Sequence, residues 1–349
     1  MLIYILILFI SMLLAYKAEI SQKKIYVWLI VLFLVFIAGF RGEEVGIDTP
    51  NYIEIWDRLL IGGIAYQEVG FQFIITSLQH ITDNPTYMFL VCSSIIYPLI
   101  IFRLWDFRKV ASFTFMIAMF FLLYYLPSFN VMRQYIALAI VFYFSRYLQK
   151  GNYFLFIIGV LLSVLFHTSS LLALAFLGVE LLLWKYLSKW QKWFIALCVC
   201  FSFILIPLVL LYVERYFLYF DNTEVKVGSL VVLKLACLII TYLLVFKKNQ
   251  VEYRVKYLVK STFILAFLGV SMEALGYFFP YMSRIGLYMT IFQVVYYGIL
   301  MHKSTVKANK IVFYFVLFVL YFIPFLLSAE GFGVLPYEFT KQFLSLIHI

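Results

Sequence analysis

The 349-residue sequence predicts an all-α polytopic membrane protein with about twelve transmembrane helices, and three observations carry that expectation. Hydrophobic residues make up 65% of the chain and charged ones only 13%, with a mean hydropathy of +1.01. A water-soluble protein of this length could not cover so much apolar surface with so few charges. Apolar runs of roughly 17–25 residues, each long enough to cross the hydrocarbon core, recur from end to end. The basic residues sit in short clusters between those runs. No soluble-looking block separates them, so a single integral-membrane domain over 1–349 is expected.

The formal charge of +10 raises nucleic acid as a partner. Clusters of lysine and arginine between apolar runs are how orientation signals look, so the bilayer is the expected partner and nucleic acid is not. Cys92, Cys198, Cys200 and Cys237 all fall inside apolar runs and none forms a CxxC. Neither a disulfide framework nor a thiolate metal site is supported.

The opening "MLIYILILFISMLLAYKAEI" has no basic leader and no small-residue cleavage site, which marks a retained first span at 2–16. Lys17, Lys23 and Lys24 divide it from a second at 25–40. After a long polar loop, spans are expected at 84–102 and 110–126, parted by Arg103, Arg108 and Lys109. Spans at 131–148 and 152–166 flank Arg146 and Lys150, and "FHTSS" alone separates 152–166 from 168–184. The remaining spans are read at 193–211, 229–246, 257–278, 282–301 and 311–327. With the loop after the first span taken as cytoplasmic, nineteen of the 27 lysines and arginines fall on that face and seven on the other. Lys234 lies within a span. The positive-inside rule then places both termini and the 41–83 loop outside.

That loop opens with "GFRGEEVGIDTPNYIEIWDRLL", residues 39–60, which carries five acidic residues and two arginines. Thr49 followed by Pro50 predicts an N-cap and a first helical residue. Tyr52, Ile55, Trp56, Leu59 and Leu60 then form one apolar stripe, and Phe71, Ile74, Ile75 and Leu78 form a second. Both segments are too short and too two-faced to span, so interfacial helices at 50–60 and 68–80 are expected on the outer face.

Arg41, Arg133 and Arg284 come from distant parts of the chain and are all expected near the outer ends of spans. A guanidinium binds phosphate in a bidentate manner and stays charged in apolar surroundings. Any one of them could instead snorkel to lipid headgroups, but three together favour a shared anionic ligand. His167, in "LLSVLFHTSSLL", reads equally as a hydrogen-bonded helix-end residue or a general base. Asp48 reads by itself as a turn or capping carboxylate. Lys234 and Glu273 are ionisable residues within spans, open to either a functional or a packing role. There is no DxD, HExxH, Walker A or GxSxG, and the four histidines are scattered, so neither a bound metal nor another cofactor is expected.

"FRGEEVGIDTPNYIEIW" resembles the R-x4-G-x-D-x3-Y segment of the EpsG family of Wzy-like polysaccharide polymerases, through Arg41, Gly46, Asp48 and Tyr52. "NVMRQYIALAIVFYFSRYLQKGNYF" resembles the family's Arg-Gln helix (Arg133, Gln134), and "FHTSSLL" its Phe-His-x-Ser turn (Phe166, His167, Ser169). "YMSRIGLYMTIF" is similar to its later arginine–tyrosine segment (Arg284, Tyr288), and "VLPYEF" to its closing Pro-Tyr pair (Pro336, Tyr337). Ile47 departs from the threonine expected before the aspartate. The matches run in order over residues 40–339.

The resemblance implies a GT-C-like membrane glycosyltransferase in the bacterial cytoplasmic membrane. It would polymerise undecaprenyl-diphosphate-linked oligosaccharides at the outer leaflet without a metal, beside the flippase and chain-length regulator of the same route. It implies Asp48, His167 and Arg133 as catalytic, with Asp48 slightly preferred as the base because it lies in the polar loop next to Arg41. Arg41, Tyr52, Gln134, Arg284 and Tyr288 would bind diphosphate or sugar. A flippase for the same lipids would need polar residues along a path through both leaflets, and usually an internal repeat. An O-antigen ligase-like transferase would share the chemistry and differ in its acceptor.

Overall fold

The computed structural model describes residues 1–63, 68–183, 188–191, 193, 229–246, 253–279, 281–303 and 307–340. All but the first residue of the expected span at 193–211 lies outside the described residues. Every regular element among them is helical, apart from an isolated antiparallel bridge between Arg41 and Phe339. Four stretches, Leu2–Ser21, Thr86–Asp106, Val255–Leu275 and Tyr281–His302, are long and apolar enough to cross a membrane, and several shorter apolar helices accompany them. The protein is therefore a membrane-embedded helical protein. Its chain forms two compact units, one of residues 1–143, 161–168 and 301–349, the other of 144–160 and 169–300.

In the first unit, α1 (Leu2–Ser21) turns at Gln22, in the left-handed region at φ 55°, into α2 (Lys24–Gly39). The helix α1 runs five residues past the expected span because hydropathy marks only the lipid-crossing part of a helix. That extra turn anchors a neighbouring helix. The Glu19 carboxylate accepts hydrogen bonds from the Thr114 amide (2.9 Å) and hydroxyl (2.7 Å) at the start of α6 (Phe113–Phe120). The helix α2 packs on α5 (Thr86–Asp106), where Gly39 lets the backbones approach closely. A Cβ there would meet the Leu90 Cα at 2.9 Å.

The predicted span at 110–126 is not uniform. After α6 the helix widens to a π turn over Phe121–Tyr125 and tightens to a 3₁₀ turn over Pro127–Phe129. Pro127 has no N–H and cannot continue the α ladder. The two short helices expected at 50–60 and 68–80 appear as α3 (Thr49–Leu60) and α4 (Val69–Gln79). Tyr52 and Trp56 are buried from the first stripe and Phe71 and Ile75 from the second, while Leu60 is exposed. Two bonds tie this layer together: Gln79 donates to the Trp56 carbonyl (2.7 Å) and Trp56 donates to the Asp83 carbonyl (3.2 Å).

The expected Thr49 cap is corrected. Asp48 holds the cap position, with no side-chain capping bond, and Thr49 begins the helix. The Thr49 hydroxyl donates instead to the Val45 carbonyl four residues back (2.7 Å), so it is already engaged in the preceding turn.

The second unit contains α9 (Ala175–Leu183), α10 (Ser229–Phe246), α11 (Tyr253–Leu275), α12 (Tyr281–Thr290) and most of α13 (Phe292–Lys303). The expected span at 282–301 matches the apolar stretch Tyr281–His302, in which one turn residue, Ile291, separates α12 from α13. Gly269 on α11 and Gly286 on α12 face each other so closely that a Cβ on Gly286 would meet the Gly269 carbonyl oxygen at 2.6 Å. Lys234 on α10 donates to Glu273 on α11 at 2.6 Å, which resolves two intramembrane charges as a pair.

The last helix of the first unit, α14 (Lys307–Gly331), packs on the π turn, with the Phe325 and Phe121 rings 5.6 Å apart. The chain beyond it lies along the start of the polar loop. The Gly46 amide donates to the Gly333 carbonyl (2.8 Å), Ile47 to Phe332 (3.2 Å), Gly42 to Glu338 (2.7 Å) and Thr340 to Phe40 (3.0 Å). Gly46 has φ 104°, and a Cβ there would stand 2.8 Å from the Asn130 Oδ1. Gly46→Ala is therefore expected to destabilise the fold by about 2 kcal/mol or more, from backbone strain plus the clash. A detergent thermal-unfolding midpoint unchanged from the wild type would refute this.

Candidate active site

Three segments converge where α3 and α4 meet the rest of the first unit. α7 (Met132–Gln149) begins directly after the 3₁₀ turn and carries Arg133 and Gln134 in its first turn. α8 (Tyr153–Val164) ends in a tightened turn: Phe166 and His167 both donate their amides to the Ser163 carbonyl, at 3.0 and 3.1 Å. The third segment is the entry to α4. The Gly70 amide donates to the Leu165 carbonyl at 2.8 Å, and a Cβ on Gly70 would stand 2.8 Å from that oxygen. Only a glycine lets α4 dock so tightly on the His167 turn.

That docking delivers Glu68, a residue that nothing in the sequence pattern singles out. It sits at the cap position of α4 with an extended backbone, and its side chain makes no capping bond. One carboxylate oxygen is 2.9 Å from the His167 Nδ1 and the other is paired with the Arg133 guanidinium. Burial acts to raise the Glu68 carboxyl, but the His167 hydrogen bond and the Arg133 charge outweigh it and hold it below the usual carboxylate range. With the carboxylate ionised, the Nδ1 of a neutral His167 carries the proton and donates it, which leaves Nε2 as the acceptor.

Tyr52 of α3 completes the wall. Its ring packs edge-on against Phe71 with centroids 5.6 Å apart. Burial pushes its hydroxyl up to about 12, against a hydrogen bond and charge from Arg133, while Asp48 acts to raise it. Asp48 and Arg133 thus both act on the Tyr52 hydroxyl. Asp48 is part-exposed, and its amide lies 3.4 Å from the Asn130 Oδ1. Asn130 also donates to the Phe332 carbonyl (3.0 Å), so one side chain joins the loop, the approach to α7 and the chain end.

Arg41 lies beneath this layer. It is 2% exposed and donates to the carbonyls of Ala38 (3.1 Å) and Phe129 (3.0 Å). It contacts the Met132 sulfur at 3.6 Å, with the Phe89 ring 4.3 Å from its guanidinium carbon. Its partners bracket the first turn of α7, so Arg41 holds the segment from which Arg133 projects. Gln134 is buried beside it in sequence. Tyr337 donates to the Ile37 carbonyl at 2.8 Å. Arg284 and Tyr288 are one turn apart on α12 of the second unit, Arg284 exposed and Tyr288 buried with its hydroxyl 3.3 Å from the Ser169 Oγ.

The cluster therefore has a carboxylate-held imidazole and a partly exposed guanidinium between α3, α4, α7 and the end of α8. The sequence profile of the EpsG family matches residues 24–339, and the chain belongs to the EpsG family. The family is associated with Wzy-like polysaccharide polymerases. No curated protein and no solved structure matches the chain.

Proposed function

We propose that this protein joins oligosaccharide repeat units carried on undecaprenyl diphosphate into a longer surface polysaccharide, at the outer leaflet of the bacterial cytoplasmic membrane. The observation that supports this most is the Glu68–His167–Arg133 cluster beneath two interfacial helices, in a chain of a family tied to polysaccharide polymerases. The growing chain is the donor. A hydroxyl of the incoming unit attacks the anomeric carbon, the new C–O bond forms, and the bond to the diphosphate oxygen breaks. The hydroxyl proton passes to the His167 Nε2 and the diphosphate leaves towards Arg133.

Charge balance favours this order. Ionised Glu68 and Arg133 cancel while His167 is neutral. When His167 takes the proton the cluster gains one positive charge, as the leaving group gains a negative one. A fixed arginine can serve here in place of a metal ion. The α3 and α4 layer keeps water out, so transfer competes with hydrolysis. Asp48 and Tyr52 line the loop side as sugar contacts. Arg284, Gln134 and Tyr288 are carried as diphosphate or sugar contacts on the family's pattern, and Arg41 as the residue that sets the start of α7.

The surface-glycan length profile of a deletion strain tests the assignment. Single repeat units are expected at the surface. Lost glycan with lipid-linked units accumulating in the cytoplasm would mean a flippase, and unattached long chains would mean a ligase-like transferase.

The outer placement of the site rests on the nineteen-to-seven division of basic residues. In a cysteine-free background, a cysteine introduced at Glu44 should react with an impermeant thiol reagent in intact cells, and one at Lys23 should not. The reverse pattern would move the site to the cytoplasmic face and end the proposal.

A further inference from the structure

We propose that Glu68 is the positioning residue of the site: it fixes the tautomer and aim of His167 with one carboxylate oxygen and the place of Arg133 with the other. The inference rests on the reading of His167 as the base. Its geometry is direct, with 2.9 Å from one oxygen to the His167 Nδ1 and an ion pair from the other to Arg133. The placement is also built rather than incidental. Glu68 sits at the cap position of α4, yet its side chain makes no capping bond: the Phe71 and Gln72 amides go to its own carbonyl and the Gly70 amide to Leu165, which leaves the carboxylate for His167 and Arg133. The Gly70–Leu165 contact two residues on clamps the backbone that carries it.

Without the carboxylate, the imidazole would be free to carry its proton on either nitrogen and to rotate. Arg133 would be left in the same pocket with no counter-charge. Among the described residues, the charged group in contact with His167 is Glu68 ahead of α4, which also pairs with Arg133 on α7; Arg133 in turn hydrogen-bonds Tyr52 of α3, whose hydroxyl Asp48 also influences. Removing the Glu68 charge destabilises the imidazolium twice over, by loss of an attractive charge and by exposure of a repulsive one. The rising limb of activity against pH is therefore expected to move to lower pH when that charge is removed.

Chain extension in isolated membranes supplied with purified lipid-linked repeat units, measured from pH 5 to 9, tests this. Glu68→Gln keeps the size and hydrogen-bonding capacity of the side chain. It is expected to accumulate normally, to lose about 10²-fold or more in rate, and to shift the rising limb down by about one pH unit. Glu68→Asp keeps the charge but is one methylene too short to hold both partners, and should lose rate with little movement of the limb. A Glu68→Gln protein with wild-type rate and an unmoved limb overturns the inference, as does one slowed equally at every pH. If Glu68→Gln does not accumulate, Glu68→Asp decides: a normal rate overturns the inference and a reduced one with unchanged KM supports it. His167→Gln run alongside separates the two levels. If it extends chains normally, His167 is not the base, and the inference falls together with that reading.

Discussion

Replacing His167 by glutamine is expected to lower chain extension by about 10²–10⁴-fold, the usual range for loss of a general base, with the protein still present in the membrane. The glutamine amide can still donate to Glu68 and so preserve the contact between the end of α8 and α4. It cannot accept a proton from a sugar hydroxyl. The measurement is the length ladder formed from purified lipid-linked repeat units over time. Asp48→Asn is the paired control. No capping bond is lost with it, since Asp48 makes none, and a reduced but measurable rate is expected because its place is beside the sugar. If Asp48→Asn abolishes extension while His167→Gln extends long chains, the base is Asp48, the residue that sequence alone favours.

Arg133→Lys is expected to impair the enzyme nearly as severely as Arg133→Ala, by about 10²-fold, because the lost feature is the fork and not the charge. The planar guanidinium pairs with Glu68 and hydrogen-bonds the Tyr52 hydroxyl at once, and its further N–H donors serve the diphosphate. An ammonium is a single point. It can satisfy Glu68 or the leaving group but does not bridge both. Truncation to alanine adds the cost of stranding a part-buried Glu68 carboxylate, so Arg133→Ala should also show reduced accumulation. A lysine variant that polymerises at the wild-type rate would make Arg133 a headgroup anchor.

Much of the architecture is legible in the sequence because lipid imposes simple rules. Hydropathy alone delimits residues 229–246, which form α10 over the same range. The two short amphipathic helices are legible from their stripes, since Tyr52, Trp56, Phe71 and Ile75 repeat at helical spacing and are buried. Helix ends are less so: α1 continues through Lys17 and Glu19, and α6 changes its winding before Pro127. Thr49 misleads as a cap because a hydroxyl can serve the turn behind it as readily as the helix ahead.

Among the site residues, His167 and Arg133 stand out as rare polar groups in apolar runs. Glu68 does not, for it is one more acid in an acidic loop. Its partner His167 lies 99 residues away, and spacing along the chain carries no trace of that pairing. The available clue is its position immediately ahead of an amphipathic stripe that must dock somewhere. The role of Arg41 is hidden differently. An arginine that binds phosphate and one that grips the carbonyls of Ala38 and Phe129 look the same in sequence.

The seam between residues 40–47 and 332–340 governs when the site can exist during synthesis. The amides of Gly42, Gly46 and Ile47 find their acceptors on Glu338, Gly333 and Phe332, and the Tyr337 hydroxyl closes on Ile37 across 300 residues. When the opening loop is first made, the chain that will receive it has not been translated. The last described residues act as a bolt drawn after every other helix is in place. A nascent chain that has not reached them lacks the Phe332 carbonyl that holds Asn130 at the approach to α7, so this part of the frame closes late.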